Sequence, residues 1–273
     1  MIELADLHSH LVPGVDDGTT SVEESLESLR SLRAEGVGAL ITTPHLLLPR
    51  LETQSEIGRE LDGHRRAFDR LIRAGAGATD VPAIGLGQEI WASNADQIRR
   101  VLDRTDVGLG GTDYLLIEFG FQLTGTHMDV VDAVVAAGRR IVISHPERYE
   151  YLPGTDPLEL AKAWRERGAL LQINTGSLNG YYNASNPGSK RLAWAFIQTG
   201  IADMISTDHH GSRRAGVSPL EAWDTLVAHG YEEYAEQLMS IGPGQIVNAA
   251  DLALESAEPT EILSTNRSAS RRG

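Results

Sequence analysis

Two hydrophobic rhythms alternate along the chain from its N-terminus to about residue 250. In the first, apolar residues recur every three or four positions, the spacing of a helix that buries one stripe. It fits Ser21–Glu35, Thr53–Ala74, Thr126–Ala137, Asp156–Arg167, Gly188–Thr199 and Ser218–His229. Ser21 precedes Glu24 by three residues, as in an N-terminal capping box. The helical patterns stop at Gly36, Gly75, Gly138, Gly168, Gly200 and Gly230. In the second rhythm, short apolar runs follow most of those stops, at about 37–43, 83–89, 114–118, 140–144, 169–174 and 202–207. With the N-terminal run 3–8 they make seven strands, and strands alternating with helices predict a parallel sheet. Seven strands can close, or nearly close, a barrel; a doubly wound open sheet is the alternative. No internal repeat is visible.

Nearly every apolar run ends on a histidine or a carboxylate. Asp6-Leu7-His8-Ser9-His10 closes the first, and His45 follows the run 39–44. Glu89, Glu118 and His145 end the next three, and Asp208 with His210 follows 204–207. Parallel strands joined by crossover helices bring their C-terminal ends to one face. An open sheet would concentrate a site at one switch point, so ligands at so many strand ends favour a TIM-like α/β barrel. The strand ending Gln172-Ile173-Asn174 is the exception and is expected to supply polar contacts only. Imidazole nitrogens with carboxylate oxygens are the ligand set of divalent transition metals. The pattern points to a multinuclear metallohydrolase.

Within it, His8 and His10 lie two apart on a strand and share a face. Asp6 shares that face and is expected to orient a ligand imidazole. On its own Asp16-Asp17-Gly18 reads first as an ordinary turn and only second as a source of ligands. Glu89 and Glu118 end apolar runs, where an unpaired buried carboxylate is costly, so each needs a cationic partner. His64, His127 and His229 fall in helical stretches and are expected to be non-ligands. His210, two positions from Asp208, is expected on its face in preference to His209.

Composition narrows the chemistry. A length of 273 residues suits one large α/β barrel or two small domains, and 41% hydrophobic residues can build its core. The chain has no cysteine, which excludes disulfides and every thiolate-nucleophile mechanism. The formal charge of −14 disfavours binding to nucleic acid or anionic lipid, and repels anionic substrates unless bound metal reverses the sign locally. No apolar run approaches a membrane span, and Met1-Ile2-Glu3-Leu4-Ala5-Asp6 lacks the basic and apolar regions of a signal peptide. A cytoplasmic location is expected.

Several segments together resemble the polymerase-and-histidinol-phosphatase (PHP) superfamily. They are Asp6-Leu7-His8-Ser9-His10, Pro13-Gly14-Val15-Asp16-Asp17-Gly18, Thr43-Pro44-His45, Gln88-Glu89-Ile90, Leu116-Ile117-Glu118-Phe119, Ser144-His145-Pro146-Glu147-Arg148-Tyr149 and Thr207-Asp208-His209-His210. Within it, the Pro-Gly-Val-Asp-Asp-Gly and His-Pro-Glu-Arg-Tyr segments look like the bacterial manganese-dependent protein-tyrosine phosphatases of capsular and exopolysaccharide synthesis. The resemblance implies a distorted seven-stranded barrel over residues 1–255, followed by a mobile polar tail over 256–273. It also implies three divalent ions, manganese in the first instance, with iron or zinc possible. His8, His10, Glu89 and Asp208 would hold the first, and Glu89 would bridge to a second held by Glu118 and His145. Asp17, His45 and His210 would hold the third. Arg148, with Arg213 or Arg214, would contact phosphate. The implied protein substrate is the phosphotyrosine-bearing cytoplasmic tail of a membrane tyrosine kinase; homo-oligomers are possible. One departure concerns Leu46-Leu47-Leu48-Pro49-Arg50, which in such phosphatases is usually polar or basic. It would present an apolar wall to an aromatic ring, or a dimer contact.

The expected reaction is phosphomonoester hydrolysis by a metal-activated water, a hydroxide held between metals attacking phosphorus in line. Arg148 and Arg213 or Arg214 would neutralise the equatorial oxygens through bidentate guanidinium contacts, and Asp208 or Asp17 would accept a proton. With no evident general acid, the site suits a phenolate leaving group, whose pKa of about 10 lets it depart unaided. On its own, Arg148 reads equally as a surface ion pair with Glu147 or Glu150. Histidinol phosphatase and other small-molecule phosphatases are the enzymatic alternatives; a non-catalytic phosphotyrosine-binding module is the alternative outside catalysis.

Overall fold

A computed structural model of the chain describes residues 3–214 and 217–254. The expected tail over 256–273 lies outside the described residues. The strands are β1 (Leu4–Asp6), β2 (Val37–Thr42), β3 (His45–Leu47), β4 (Ala83–Leu86), β5 (Glu89–Trp91), β6 (Tyr114–Glu118), β7 (Arg140–Ser144), β8 (Leu170–Asn174), β9 (Met204–Ser206) and β10 (Leu252–Ala253). The helices are α1 (Val22–Ala34), α2 (Gln54–Gly75), α3 (Ala95–Arg99), α4 (His127–Ala136), α5 (Pro157–Glu166), α6 (Thr175–Asn179), α7 (Ser189–Gln198), α8 (Pro219–Ala228), α9 (Glu232–Glu236) and α10 (Gly242–Val247), the last two joined by a π-helical turn.

Every helix expected from the apolar periodicity is present, with ends within one residue, and side-chain caps fix the start of four of the six. Ser21, Thr53, Asp156 and Ser218 each accept a hydrogen bond from a backbone N–H of the first turn. The capping box expected at α1 is only half formed: Glu24 turns instead to Thr20 and Ser212. A complete box forms at α2, between Thr53 and Glu56. Gly75 does not stop α2 but is its last residue; the left-handed position falls on Gly77.

The fold is mixed α/β with parallel sheets, as the alternation predicts. The ladders, however, form two sheets, in the orders β1-β2-β4-β10 and β3-β5-β6-β7-β8-β9, and only β10 is antiparallel. Two of the expected strands are split. Pro44, which has no N–H to give, separates β2 from β3, and Gly87-Gln88 separates β4 from β5. Single bonds cross the break, from Gly87 N to Thr42 O and from Glu89 N to Pro44 O. At the far edges β1 and β9 share no ladder, but the chain just beyond them meets at a Ser9–His209 bridge.

Apolar residues fill both sides of the sheets, the arrangement of parallel strands covered by helices. The larger cluster lies under the helices and includes Trp164, Phe196 and Leu171. The smaller gathers Ala5, Leu7, Ala39, Ile41, Leu116, Val142 and Met204, with Ala83, Tyr114 and Leu170 packed against it. Strand alternation then carries polar groups out of this second cluster towards the C-terminal ends. Along β6, Tyr114 and Leu116 give way to Glu118; along β8, Leu170 gives way to Gln172 and Asn174.

Candidate metal centre

The C-terminal strand ends converge on one cleft of about 520 Å³. The structure brings together all nine side chains expected there: His8, His10, Asp17, His45, Glu89, Glu118, His145, Asp208 and His210. Their ligand atoms fall into overlapping groups within 4.8 Å: His10, Asp17, His45 and His210; His8, Glu89 and His145; His8, His10 and Asp208; His45, Glu89 and Glu118. Local backbone geometry aims two of them. His145 and Asp208 adopt left-handed φ values of 34° and 52°, a conformation that surrounding structure must hold in place.

The hydrogen bonds behind the imidazoles decide what faces the cleft. Gln172 Oε1 lies 2.9 Å from His8 Nδ1, and Asp16 Oδ2 lies 2.8 Å from His10 Nδ1. Each acceptor holds a proton on Nδ1, so that Nε2 is the nitrogen turned to the cleft. Those two Nε2 atoms sit 3.2 Å apart, with Asp208 Oδ1 at 3.4 and 3.3 Å from them. Glu89 Oε1 is 3.3 Å from His8 Nε2. His210 repeats the pattern: Nδ1 donates to the carbonyl of Asp208 and Nε2 faces Asp17 Oδ1 at 3.4 Å. These facing imidazole and carboxylate atoms are the donor groups that a shared cation would engage.

Two more observations fit a cation. His45 Nδ1 and Glu89 Oε2 are buried 2.8 Å apart, yet neither makes a hydrogen bond. Glu118 is buried, and without metal its carboxyl is pushed up to about 8, by burial first and then by the charge of Glu89. Burial works the other way on His8, but Glu89 and Asp208 override it and lift the imidazole to about 9. The donor set, imidazole and carboxylate, is that of manganese, iron or zinc.

Several expectations are corrected. Asp6 does not orient an imidazole: its carboxylate accepts from Thr207 and from the backbone of His8. That role falls to Asp16 for His10 and to Gln172 for His8. Asp16 also accepts from the N–H of Gly18 and of His45. Gly18 is required here, because a Cβ would come within 2.0 Å of the His10 carbonyl oxygen. Arg148 pairs with neither Glu147 nor Glu150; its Nη1 donates to Asp208 Oδ2 at 2.7 Å. Its guanidinium lies between the rings of Phe121 and Tyr182, at 5.0 and 4.1 Å. Leu46 and Leu48 are fully buried and offer no dimer contact, while Leu47 and Arg50 line the cleft. A 3-10 turn covers Gly211–Arg214, but the side chains of Arg213 and Arg214 lie outside the described part of the chain.

The expected non-ligands stay apart. His64 bonds Gln88, His127 the carbonyl of Thr124, His229 that of Thr225, and His209 accepts from the N–H of Gly211. Sequence reading missed Trp91 and Phe121, which line the cleft beside Val15 and Leu47. Their only signal was position, two and three residues beyond Glu89 and Glu118.

Fold and site define a mixed α/β protein with parallel sheets that carries a His/carboxylate cluster able to hold metal ions. The chain belongs to the CpsB/CapC family of capsular polysaccharide synthesis, whose model matches residues 4–248. It is 27% identical to tyrosine-protein phosphatase YwqE of Bacillus subtilis over 225 residues, 80% of this chain and 82% of that protein. It is 24% identical to tyrosine-protein phosphatase CpsB of Streptococcus pneumoniae over 253 residues, 89% and 98% of the two chains. Among solved structures it superposes on one described as that of YwqE and CpsB, unique metal-dependent tyrosine phosphatases. The TM-score is 0.69 at 22% identity, covering 90% of this chain and 95% of the other. A phosphotriesterase homology protein of Escherichia coli shares the fold at a TM-score of 0.53 and 15% identity, covering 89% and 98%.

Proposed function

We propose that this protein is a metal-dependent protein-tyrosine phosphatase of capsular or exopolysaccharide synthesis. Its catalytic domain spans residues 1–255 and forms a distorted, closed seven-stranded barrel. The interior cluster fed by successive strands and the Ser9–His209 bridge support closure. The observation that carries the activity is the pair of Nε2 atoms, on His8 and His10, facing Glu89 and Asp208 inside a cleft walled by Trp91 and Phe121.

His8, His10, Glu89 and Asp208 would hold one ion, Glu89 with Glu118 and His145 a second, and Asp17, His45 and His210 a third. The grouping of ligand atoms supports this, with His10 also in reach of the third position and His45 in reach of Glu89 and Glu118. Three manganese ions would supply Lewis acidity at the phosphoryl oxygens and a nucleophilic water at neutral pH. Arg148, held close by Asp208, binds an equatorial phosphoryl oxygen, with Arg213 or Arg214 as its partner. Asp208 Oδ2, shared by Arg148 and Asn174, keeps the arginine in register and is the proton acceptor. Val15, Leu47, Trp91 and Phe121 take the aryl ring, and the weak basicity of phenolate spares the site a strong acid. The substrate is the phosphotyrosine-bearing cytoplasmic tail of a tyrosine kinase, which places the enzyme in the cytoplasm. No described helix is long and apolar enough to cross a membrane.

Phosphate release from a phosphotyrosyl peptide and from histidinol phosphate, each with manganese and with chelator, tests this. Metal-dependent turnover of the peptide is expected. Preference for histidinol phosphate would replace the substrate class, and inactivity on both with metal bound would leave a binding module.

A further inference from the structure

β8 is the one main strand that brings no ligand to the cleft, yet it sends Gln172 and Asn174, both fully buried, towards it. Their hydrogen bonds have a direction that the neighbouring atoms dictate. Gln172 Nε2 lies 2.9 Å from the carbonyl of Ile173 and 2.8 Å from Asn174 Oδ1. Turning the amide over would set its oxygen against both acceptors, so Oε1 must face His8 Nδ1. Asn174 is fixed in turn. Its Oδ1 accepts from Gln172, and its Nδ2 donates to Asp208 Oδ2 at 2.8 Å and to the Tyr182 hydroxyl at 3.4 Å. Three bonds therefore run one way, from His8 through Gln172 and Asn174 to Asp208. The far sides of the two end residues, His8 Nε2 and Asp208 Oδ1, lie 3.4 Å apart in the cleft.

We propose that Gln172 and Asn174 are positioning residues that act as one unit, fixing the tautomer of His8 and the free oxygen of Asp208 together so that both present lone pairs to the same ion. This rests on the metal-centre reading above. The logic is that of a partner behind a ligand imidazole, which sets its tautomer and orientation. Here the partner is a neutral amide, and a second amide extends it to another ligand. Asn174 engages Oδ2, alongside Arg148, and so leaves Oδ1 as the atom Asp208 offers. Each link also polarises the next, so the chain is worth more intact than its bonds are separately.

The test uses the full-length, metal-free protein above pH 9, where His8 is a neutral imidazole, with circular dichroism as the check on folding. Long-range proton–nitrogen spectra report imidazole tautomers, and the His8 signal is assigned by its loss in His8→Gln. Calorimetric titration with manganese gives the affinity. His8 should carry its proton on Nδ1 in the unaltered protein. In Gln172→Met both tautomers should appear, and the manganese Kd should rise by roughly ten- to a hundredfold. Gln172→Glu keeps an acceptor opposite Nδ1 and should restore the tautomer. Asn174→Leu should also weaken manganese binding, and the double variant Gln172→Met/Asn174→Leu should lose no more than the worse single one, the mark of residues acting as a unit. A His8 tautomer that is unchanged in Gln172→Met overturns the proposal, as do losses that simply add. If Gln172→Met does not fold, the tautomer in Gln172→Glu and Asn174→Leu decides: kept in the first and loosened in the second supports the unit, alike in both refutes it. Failure of the unaltered protein to bind manganese would sink the metal-centre reading instead, and the tautomer would still decide the role of Gln172.

Discussion

Glu118→Gln should change stability in opposite directions with and without metal. In the metal-free protein burial, and then the charge of Glu89, raise the Glu118 carboxyl from 4.5 to about 8. A carboxyl with a raised folded-state pKa holds its proton in the fold and loses it on unfolding. Stability is then whole below pH 4.5 and falls as pH rises towards 8. At about 1.4 kcal/mol per tenfold change in proton affinity, the ceiling is about 5 kcal/mol. Glu89 shares the titration, so about 1–3 kcal/mol is the expected size. Glutamine has the same shape and no charge to bury. At pH 8 the metal-free variant should therefore melt higher, by roughly 2–10 °C for a chain of this size. Manganese reverses the order. Metal at a hundred times its Kd stabilises the unaltered protein by about 2.7 kcal/mol, and the variant, short of one carboxylate ligand, gains less. Scanning calorimetry of both proteins at pH 5 and 8, with manganese and with chelator, reads all four combinations. A variant that is less stable under every condition, or more stable under every condition, would refute the assignment of Glu118 to a metal.

Arg148→Ala should cut kcat/KM on a phosphotyrosyl peptide by roughly ten- to a hundredfold, the worth of one charge-assisted hydrogen bond of about 1.5–3 kcal/mol. Bound manganese, measured by elemental analysis, should stay constant, since Asn174 still holds Asp208 Oδ2; lost metal would assign the arginine a structural role. Phe121→Ala should raise KM for aryl phosphates by roughly two- to tenfold, from about 0.5–1.5 kcal/mol of ring contact, and leave alkyl phosphates unchanged in parallel assays. Asp16→Ala removes the acceptor behind His10 and should weaken manganese binding by roughly ten- to a hundredfold in calorimetric titration. Inorganic phosphate should tighten manganese binding in calorimetric titration, because ligands that favour each other's binding do so reciprocally; a manganese affinity indifferent to phosphate counts against a shared site.

What could be read from the sequence was whatever depends on spacing or on chemical type. Helix ends were legible to within a residue because Ser21, Thr53, Asp156 and Ser218 announce them locally. The ligand-type side chains were legible because an apolar strand ending on His145 or Glu118 has few other reasons to do so. The break between the sheets was not, although Pro44 was in plain view, since a missing N–H shows its effect only once the neighbouring strand is known. Nor were the residues that orient the ligands. Asp16 stood beside Asp17 with the same chemistry, and only the fold turns one towards His10 and the other towards His45 and His210. Gln172 looked like a filler in a ligand-free strand, and the leucines after His45 looked exposed because periodicity does not say that Leu46 and Leu48 enter the core.

The charge balance of the cleft ties these pieces together. Asp16, Asp17, Glu60, Glu89, Glu118 and Asp208 line it against Arg50 and Arg148, in a chain whose formal charge is −14. Arg148 is already engaged by Asp208. A phosphate approaching the metal-free cleft therefore meets more acidic side chains than arginines. Bound divalent ions are the largest charges such a site can acquire, and they invert its sign locally. Selectivity follows from the same balance. On the proposed function, with the anion held by metal and Arg148, the distinction between one phosphate ester and another would be left to the walls, where Leu47, Trp91 and Phe121 would favour a ring.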